Sequence, residues 1–300
     1  MAISTRPLAQ AAEPCDVEGI RRDIETRLGC LLPDSGNERD LIALAMRESA
    51  LAPGKRMRPL LMVLAARDLG YRAAPLLDVA CAVEMVHAAS LVLDDMPCMD
   101  NARTRRGRPT LHLHFGEDVA ILTAVALLTR AFGVIASVPD VPPLVRAQLV
   151  STLSEAIGPR GLVHGQCQDL REGSQPRSAE AIALTNELKT GMLFAATLEM
   201  AALMAQASES ERGSLRSFAL ELGHAFQLYD DLQDLLPNND KDQGKDIGKS
   251  TLLALLGEAE VRARLRAHLA RAETHLAAVY QSRQAIRHFC QGIFAKVLKA

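Results

Sequence analysis

Ile20, Ile24, Leu28 and Leu31 recur every three to four residues, which predicts an amphipathic helix over about 17–31. Residues 33–37, opening on Pro33, break that pattern. Leu41, Leu44 and Ala45 share a face of a second helix that stops near Pro53-Gly54, and Pro59 suits the first turn of a third, running to about Leu69. A long apolar helix is predicted from about Leu76 to Leu93, with Val79, Val83, Val86, Ser90 and Asp94 along one side. Pro97 cannot donate to the carbonyl of Leu93 and clashes with it, so this helix kinks or ends there, a distortion able to turn Asp100 back towards Asp94 and Asp95. Asn101 to Pro109 is expected to be a mobile loop. Further helices are predicted at about 118–137, 143–157, 179–205, 209–236, 258–281 and 284–298, with Ser178 capping the helix at 179. Gly161 to Gln166 is a glycine-tolerant stretch, in which Gln166 and the nearby Asp169 are placed to support a site.

The expected fold is therefore all-α: one large helical domain over 19–300, preceded by a loose tail over 1–18. Composition agrees. Hydrophobic residues make up 48% of the chain, and Ala and Leu dominate over β-branched runs. A net charge of −2 argues against nucleic acid as a partner, so cationic groups must act locally. The six cysteines are scattered without a Cys-x-x-Cys pair, as expected of reduced thiols in a cytoplasmic protein. Val119–Val138 is the nearest approach to a membrane span. It contains Arg130 and follows Glu117-Asp118, and is expected to be a helix buried on all sides, in the core or a subunit interface, rather than a span.

The chemistry is suggested by two acidic clusters, each closing an apolar run: Asp94-Asp95…Asp100 and Asp230-Asp231…Asp234. A buried carboxylate costs several kcal/mol, on the order of what a paired charge recovers, unless it is paired or bound to metal. Asp230 and Asp234 are one turn apart with Gln227 a turn below, so like charges repel unless a cation lies between them. Together with nearby cations, the clusters suggest magnesium ions holding a diphosphate. Lys55 and Arg58 sit at a loop-to-helix junction, which suits an anion but also describes a solvated basic turn. His87 lies two turns below Asp94, where a core histidine is the commoner occupant. Arg103, Arg105, Arg106 and Arg108 could simply be solvated. Lys189, deep in an apolar run, must snorkel or meet an anion. The polar stretch from Asn238 to Ser250, with Lys241, Lys245 and Lys249, is long enough for a lid.

Five motifs in register resolve these alternatives. Gly54-Lys55-Arg56-Met57-Arg58-Pro59, Asp94-Asp95-x-x-x-x-Asp100, Arg105-Arg106-Gly107, Lys189-Thr190 and Asp230-Asp231-x-x-Asp234 resemble the trans-isoprenyl diphosphate synthases, most closely the geranylgeranyl-forming bacterial members of carotenoid pathways. The resemblance spans about 40–256. It implies a single large helical bundle around a central cavity, and a homodimeric, cytoplasmic prenyltransferase that condenses isopentenyl diphosphate with a dimethylallyl, geranyl or farnesyl diphosphate. It implies three Mg2+ per site, with Mn2+ able to substitute, held by Asp94, Asp95, Asp100, Asp230 and Asp234. Arg105, Lys189 and Lys249 would contact the allylic diphosphate, and Lys55, Arg58, His87 and Arg106 the isopentenyl diphosphate. Thr190 and Gln227 would line the reacting carbons. In short-chain members of the family aromatics stand where this chain has Ala89 and Ser90, so a twenty-carbon product is expected. The alternatives are a farnesyl diphosphate synthase, a terpene cyclase and a non-catalytic synthase subunit. The second Asp cluster and the 3% aromatic content disfavour a cyclase, and the intact acidic motifs disfavour a silent subunit.

Overall fold

The structure, a computed structural model, describes residues 16–36, 39–173, 175–233, 251–280 and 285–298. The helices are α1 (Val17–Leu31), α2 (Leu41–Ala50), α3 (Met57–Asp68), α4 (Pro75–Asp94), α5 (Leu111–Phe115), α6 (Glu117–Ser137), α7 (Pro143–Ile157), α8 (Leu162–Glu172), α9 (Ala179–Asn186), α10 (Met192–Met204), α11 (Glu209–Gln233), α12 (Leu252–Leu256), α13 (Glu258–Val279) and α14 (Ala285–Leu298). The all-α expectation holds.

Apolar distribution decides which helices lie inside. α3, α4 and α10 are hydrophobic nearly all round and are buried along most of their length. α1 shows a single stripe, and Ile20, Ile24, Leu28 and Leu31, the four residues of its predicted face, are all buried. α4 packs against α1, α3 and α6, while α10 bridges α3, α7 and α11, and α13 lies along α11. Caps fix the starts: Asp16 and Asp40 accept from Gly19 and Ala43 N–H groups at 2.7 and 3.0 Å, and Ser178 accepts from Ala181 as predicted. α11 opens with a reciprocal box, Ser208 N–H donating to Glu211 at 2.8 Å and Glu211 N–H to Ser208 Oγ at 3.3 Å.

Four expectations are corrected. Asn101 to Pro109 is not plain loop: Thr104–Arg105 pairs antiparallel with Arg108–Pro109, and the turn between them uses positive φ at Arg106 (54°) and Gly107 (75°). The glycine-tolerant stretch after Gly161 is helix α8. The helix expected over 179–205 is three pieces, because Glu187–Gly191 forms a π turn between α9 and α10. Finally, within one chain α6 is buried on one side only, so of the two places expected for it the core is excluded. One face packs on α4 and α2, while Ile121, Leu122 and Val125 are exposed. α4 and α6 are both long and apolar enough to cross a membrane, but α4 is a core helix, 72% of it buried. Of the tail expected over 1–18, residues 17 and 18 already belong to α1 and 1–15 lie outside the described residues, as does the lid expected at 238–250.

Candidate active site

Four helix ends meet: the start of α3, the end of α4, the π turn leading into α10, and the end of α11. The contacts that join them are specific. Arg58 of α3 stacks on Phe194 of α10, its guanidinium carbon 4.5 Å from the ring centre. Lys55, just before α3, lies 5.6 Å from the ring centre of Tyr229 on α11. Phe194, Phe226, Tyr229 and Phe294 of α14 form one continuous row, with ring centres 5.4–6.5 Å apart.

α4 ends as Pro97 requires. The chain turns over 95–100, Asp100 N–H donates to the Asp94 carbonyl at 3.0 Å, and Ala102 N–H donates to that of Asp95 at 3.1 Å. Asp100 is thereby folded back beside Asp94. Burial raises the Asp94 carboxyl to about 6, and Asp100 and Asp95 add to the rise against Lys189 and Arg105. Acidic groups at a helix C-terminus also face the negative end of the macrodipole. An ionised Asp94 is thus poorly accommodated without a cation. Lys189 supplies part of the need. Its ammonium donates to Asp169 of α8 at 2.7 Å, close enough to Asp94 to act on its charge.

Asp95 takes a different place from its neighbours. Its buried carboxylate receives Arg105 at 2.5 and 3.1 Å, so it anchors the hairpin that carries Arg105 and Arg106. Arg106 donates to the Ala52 carbonyl at 3.4 Å and lies flat on Gly54, where a Cβ would come within 2.6 Å of the guanidinium. His87 is the centre of the resulting cationic pocket: burial, then Arg58, Arg106, Arg105 and Arg56, hold its imidazole well below the usual pKa, and therefore neutral. Burial likewise lowers Arg58 to about 10, so it stays charged at neutral pH. Its Nε is buried without a partner. Positive charge gathered at a helix N-terminus, with an unpaired buried donor, suits an anion.

The π turn that carries Lys189 and Thr190 fits only because two glycines on neighbouring helices let backbones touch. A Cβ at Gly165 of α8 would fall 2.4 Å from the backbone nitrogen of Lys189, and one at Gly223 of α11 would fall 2.8 Å from the Gly191 Cα. On α11, Gln227 donates to Asp231 at 3.0 Å, and Asp230 lies next to buried Tyr229, whose hydroxyl it pushes up together with burial. Ser90 shares the half-buried stripe of His87 and Asp94, its hydroxyl donating to the His87 carbonyl at 2.9 Å, whereas Ala89 is fully buried in the core. Asp234 and Lys249 lie outside the described residues.

Sequence reasoning passed over Arg56 and Tyr229. Arg56 is buried, pairs with Glu84 at 2.9 Å and adopts a left-handed φ of 47° at the start of α3. Its signal was Glu84, an acid in the middle of an apolar helix that needs a buried cation. The signal for Tyr229 was the scarcity of aromatics, four of which stand in one row.

Among the described residues no three His, Cys, Asp or Glu side chains converge to coordinate an ion unaided. Magnesium does not require it, since it is held through one or two carboxylates together with phosphate oxygens and water. Asp94 and Asp100 offer such hard oxygen donors, folded beside one another at the end of α4, and a cation between them would offset both the burial of Asp94 and its repulsion by Asp100. The donor set fits magnesium.

A family model described as polyprenyl synthetase matches residues 39–286. The chain is 57% identical to a geranylgeranyl diphosphate synthase of Pantoea ananas, over 94% of each chain. It is 52% identical to the enzyme of that name from Pseudescherichia vulneris, over 91% of this chain and 90% of that one. A solved geranyltransferase from Helicobacter pylori, complexed with magnesium and isoprenyl diphosphate, superimposes with a TM-score of 0.85 at 25% identity, covering 97% of this chain and 100% of the other.

Proposed function

Because the chain belongs to the polyprenyl synthetase family, we propose that it joins isopentenyl diphosphate head to tail to an allylic diphosphate, forming geranylgeranyl diphosphate and releasing pyrophosphate. The observation that carries this reading is the pairing of two unlike anion sites at one meeting of helix ends: a cation-rich pocket around neutral His87, and a carboxylate pair with Lys189.

Lys55, Arg58 and Arg106 hold the diphosphate of isopentenyl diphosphate, and neutral His87 adds a hydrogen bond without competing for its charge. Arg105, fixed by Asp95, and Lys189, fixed by Asp169, face the allylic diphosphate, with Lys249 completing that set. Asp94 and Asp100, together with Asp230 and Asp234, would hold magnesium, which would supply positive charge to offset what builds on the leaving diphosphate. Thr190 and Gln227 line the reacting carbons. The apolar stripe below Asp94 keeps water from the allylic cation and directs it to the double bond. The proton lost afterwards passes to the departing diphosphate.

The whole of 19–300 acts as one domain in the cytoplasm. The exposed Ile121, Leu122 and Val125 of α6 face a second copy of the chain in a homodimer rather than lipid.

Small Ser90, on the stripe below Asp94, favours the twenty-carbon product over the fifteen-carbon one. Incubating the purified protein with magnesium, isopentenyl diphosphate and dimethylallyl or farnesyl diphosphate, then chromatographing the dephosphorylated products, tests this. Geranylgeraniol is expected. Farnesol as the end product would replace the reading with a farnesyl synthase, and no condensation at all would overturn the reaction class.

A further inference from the structure

Glu187 opens the π turn, two residues before Lys189, and the reaction as described gives it no task. Its Oε2 lies 3.1 Å from Nε2 of His224 on α11. His224 follows Gly223, the residue that lets α11 touch the turn at Gly191. Two adjacent residues of α11 therefore hold the turn, one by close approach and one by a hydrogen bond. His224 is itself backed. Its ring stacks on His268 of α13, with centres 4.9 Å apart and planes 26° apart. Nδ1 of His268 lies 2.6 Å from Glu221, whose other oxygen accepts from Arg271 at 2.9 Å. α13 thus braces the side of His224 opposite to Glu187.

A π turn holds one residue more than the α-helical register and is rare without outside support. Relaxation to α geometry would rotate the following side chains by about 100° around the axis. Lys189 would then leave both Asp169 and the neighbourhood of Asp94. We infer that Glu187 and His224 form a clasp that positions the π turn, and through it Lys189 and Thr190, for ionisation of the allylic diphosphate. Both are positioning residues. The inference rests on the role proposed for Lys189, and it adds the group that keeps Lys189 in place.

The test is steady-state kinetics on the full-length enzyme with Glu187→Ala, Glu187→Gln, His224→Ala, the Glu187→Ala/His224→Ala double variant, and Lys189→Ala as control, each with a thermal melt. A hydrogen bond to a charged group predicts a fall in kcat of about 10-fold or more for each single Ala variant. The KM for isopentenyl diphosphate, held on the other side of the site, should stay within about twofold, on that same scale of a few tenths of a kcal/mol. Glu187→Gln keeps an acceptor for His224 and should recover most of kcat. The double variant should be no worse than either single one, the signature of a shared interaction. If Lys189→Ala is impaired while Glu187→Ala keeps wild-type kcat, or if the two single losses multiply in the double variant, the clasp is refuted and the site reading stands. Wild-type kcat in Lys189→Ala overturns the site reading and the inference together.

Discussion

Replacing Asp94 by Asn separates the cost of the carboxylate from its use. In the metal-free protein the Asp94 carboxyl titrates at about 6 against an ordinary value of 3.8, chiefly through burial and then Asp100. The difference is about 2 pK units, and at about 1.4 kcal/mol per unit the ionised group destabilises the fold by up to ~3 kcal/mol. The sign follows from proton binding. The folded state holds the proton more tightly than the unfolded state, so stability from this group is fully present below the unfolded value. It is lost as pH rises through the window between the ordinary value and about 6, and is flat above. Asn cannot ionise. In EDTA the Asp94→Asn variant should therefore exceed wild type by roughly 2–3 kcal/mol above neutral pH, a rise of about 5 °C in Tm for a chain of this size, and converge with it towards pH 4. Urea unfolding in EDTA across pH 4–8 measures this, with turnover followed in parallel. Turnover should fall by several orders of magnitude at saturating magnesium. A variant less stable than wild type at alkaline pH, or a difference that does not change with pH, would refute the electrostatic argument. Near-wild-type turnover would remove Asp94 from the metal site.

Three further outcomes are expected. Arg58→Ala should raise the KM for isopentenyl diphosphate about tenfold or more while leaving the allylic KM nearly unchanged, as befits loss of a buried charged donor to one ligand; equal rises in both would contradict the two-pocket assignment. Ser90→Phe, on the stripe with His87 and Asp94, should shorten the product to farnesyl diphosphate by chromatography, whereas Ala89→Phe, in the packed core, should mainly cost about 1–3 kcal/mol in denaturant unfolding; an unchanged twenty-carbon product from Ser90→Phe would place the chain-length wall elsewhere. Gly223→Ala sets a methyl 2.8 Å from the Gly191 Cα, so it should lower both stability and kcat, and a variant matching wild type in both would show that the turn has room to spare.

What could be read from the chain alone was local in origin. The stripe of α1, the stop at Pro97 and the cap at Ser178 are each decided by a few neighbouring residues, and all stand in the structure. The acidic clusters were conspicuous for the same reason, since carboxylates closing an apolar helix contradict both burial and the macrodipole. The return of Asp100 towards Asp94 was also readable, because a proline four residues after Leu93 leaves the helix no continuation.

The partners of these groups depended on distant parts of the chain. Asp95 and Arg105 are ten residues apart, and a two-residue hairpin turned on Arg106-Gly107 brings them together. The apolar pattern of residues 101–109 gives no hint of strands so short. The π turn is the clearest case. From residue 179 to 205 the sequence carries an uninterrupted helical pattern, and no local rule favours an extra residue at 187–191. The choice is made by contacts across three elements: Gly165 on α8 and Gly223 on α11 admit the widened backbone, and His224 grips Glu187. Each of these residues looks unremarkable in its own helix, two glycines that weaken it slightly and a histidine on a half-buried face. Their effect exists only when the helices are packed together, and it falls on Lys189 and Thr190, the pair that an unbroken helix would point elsewhere.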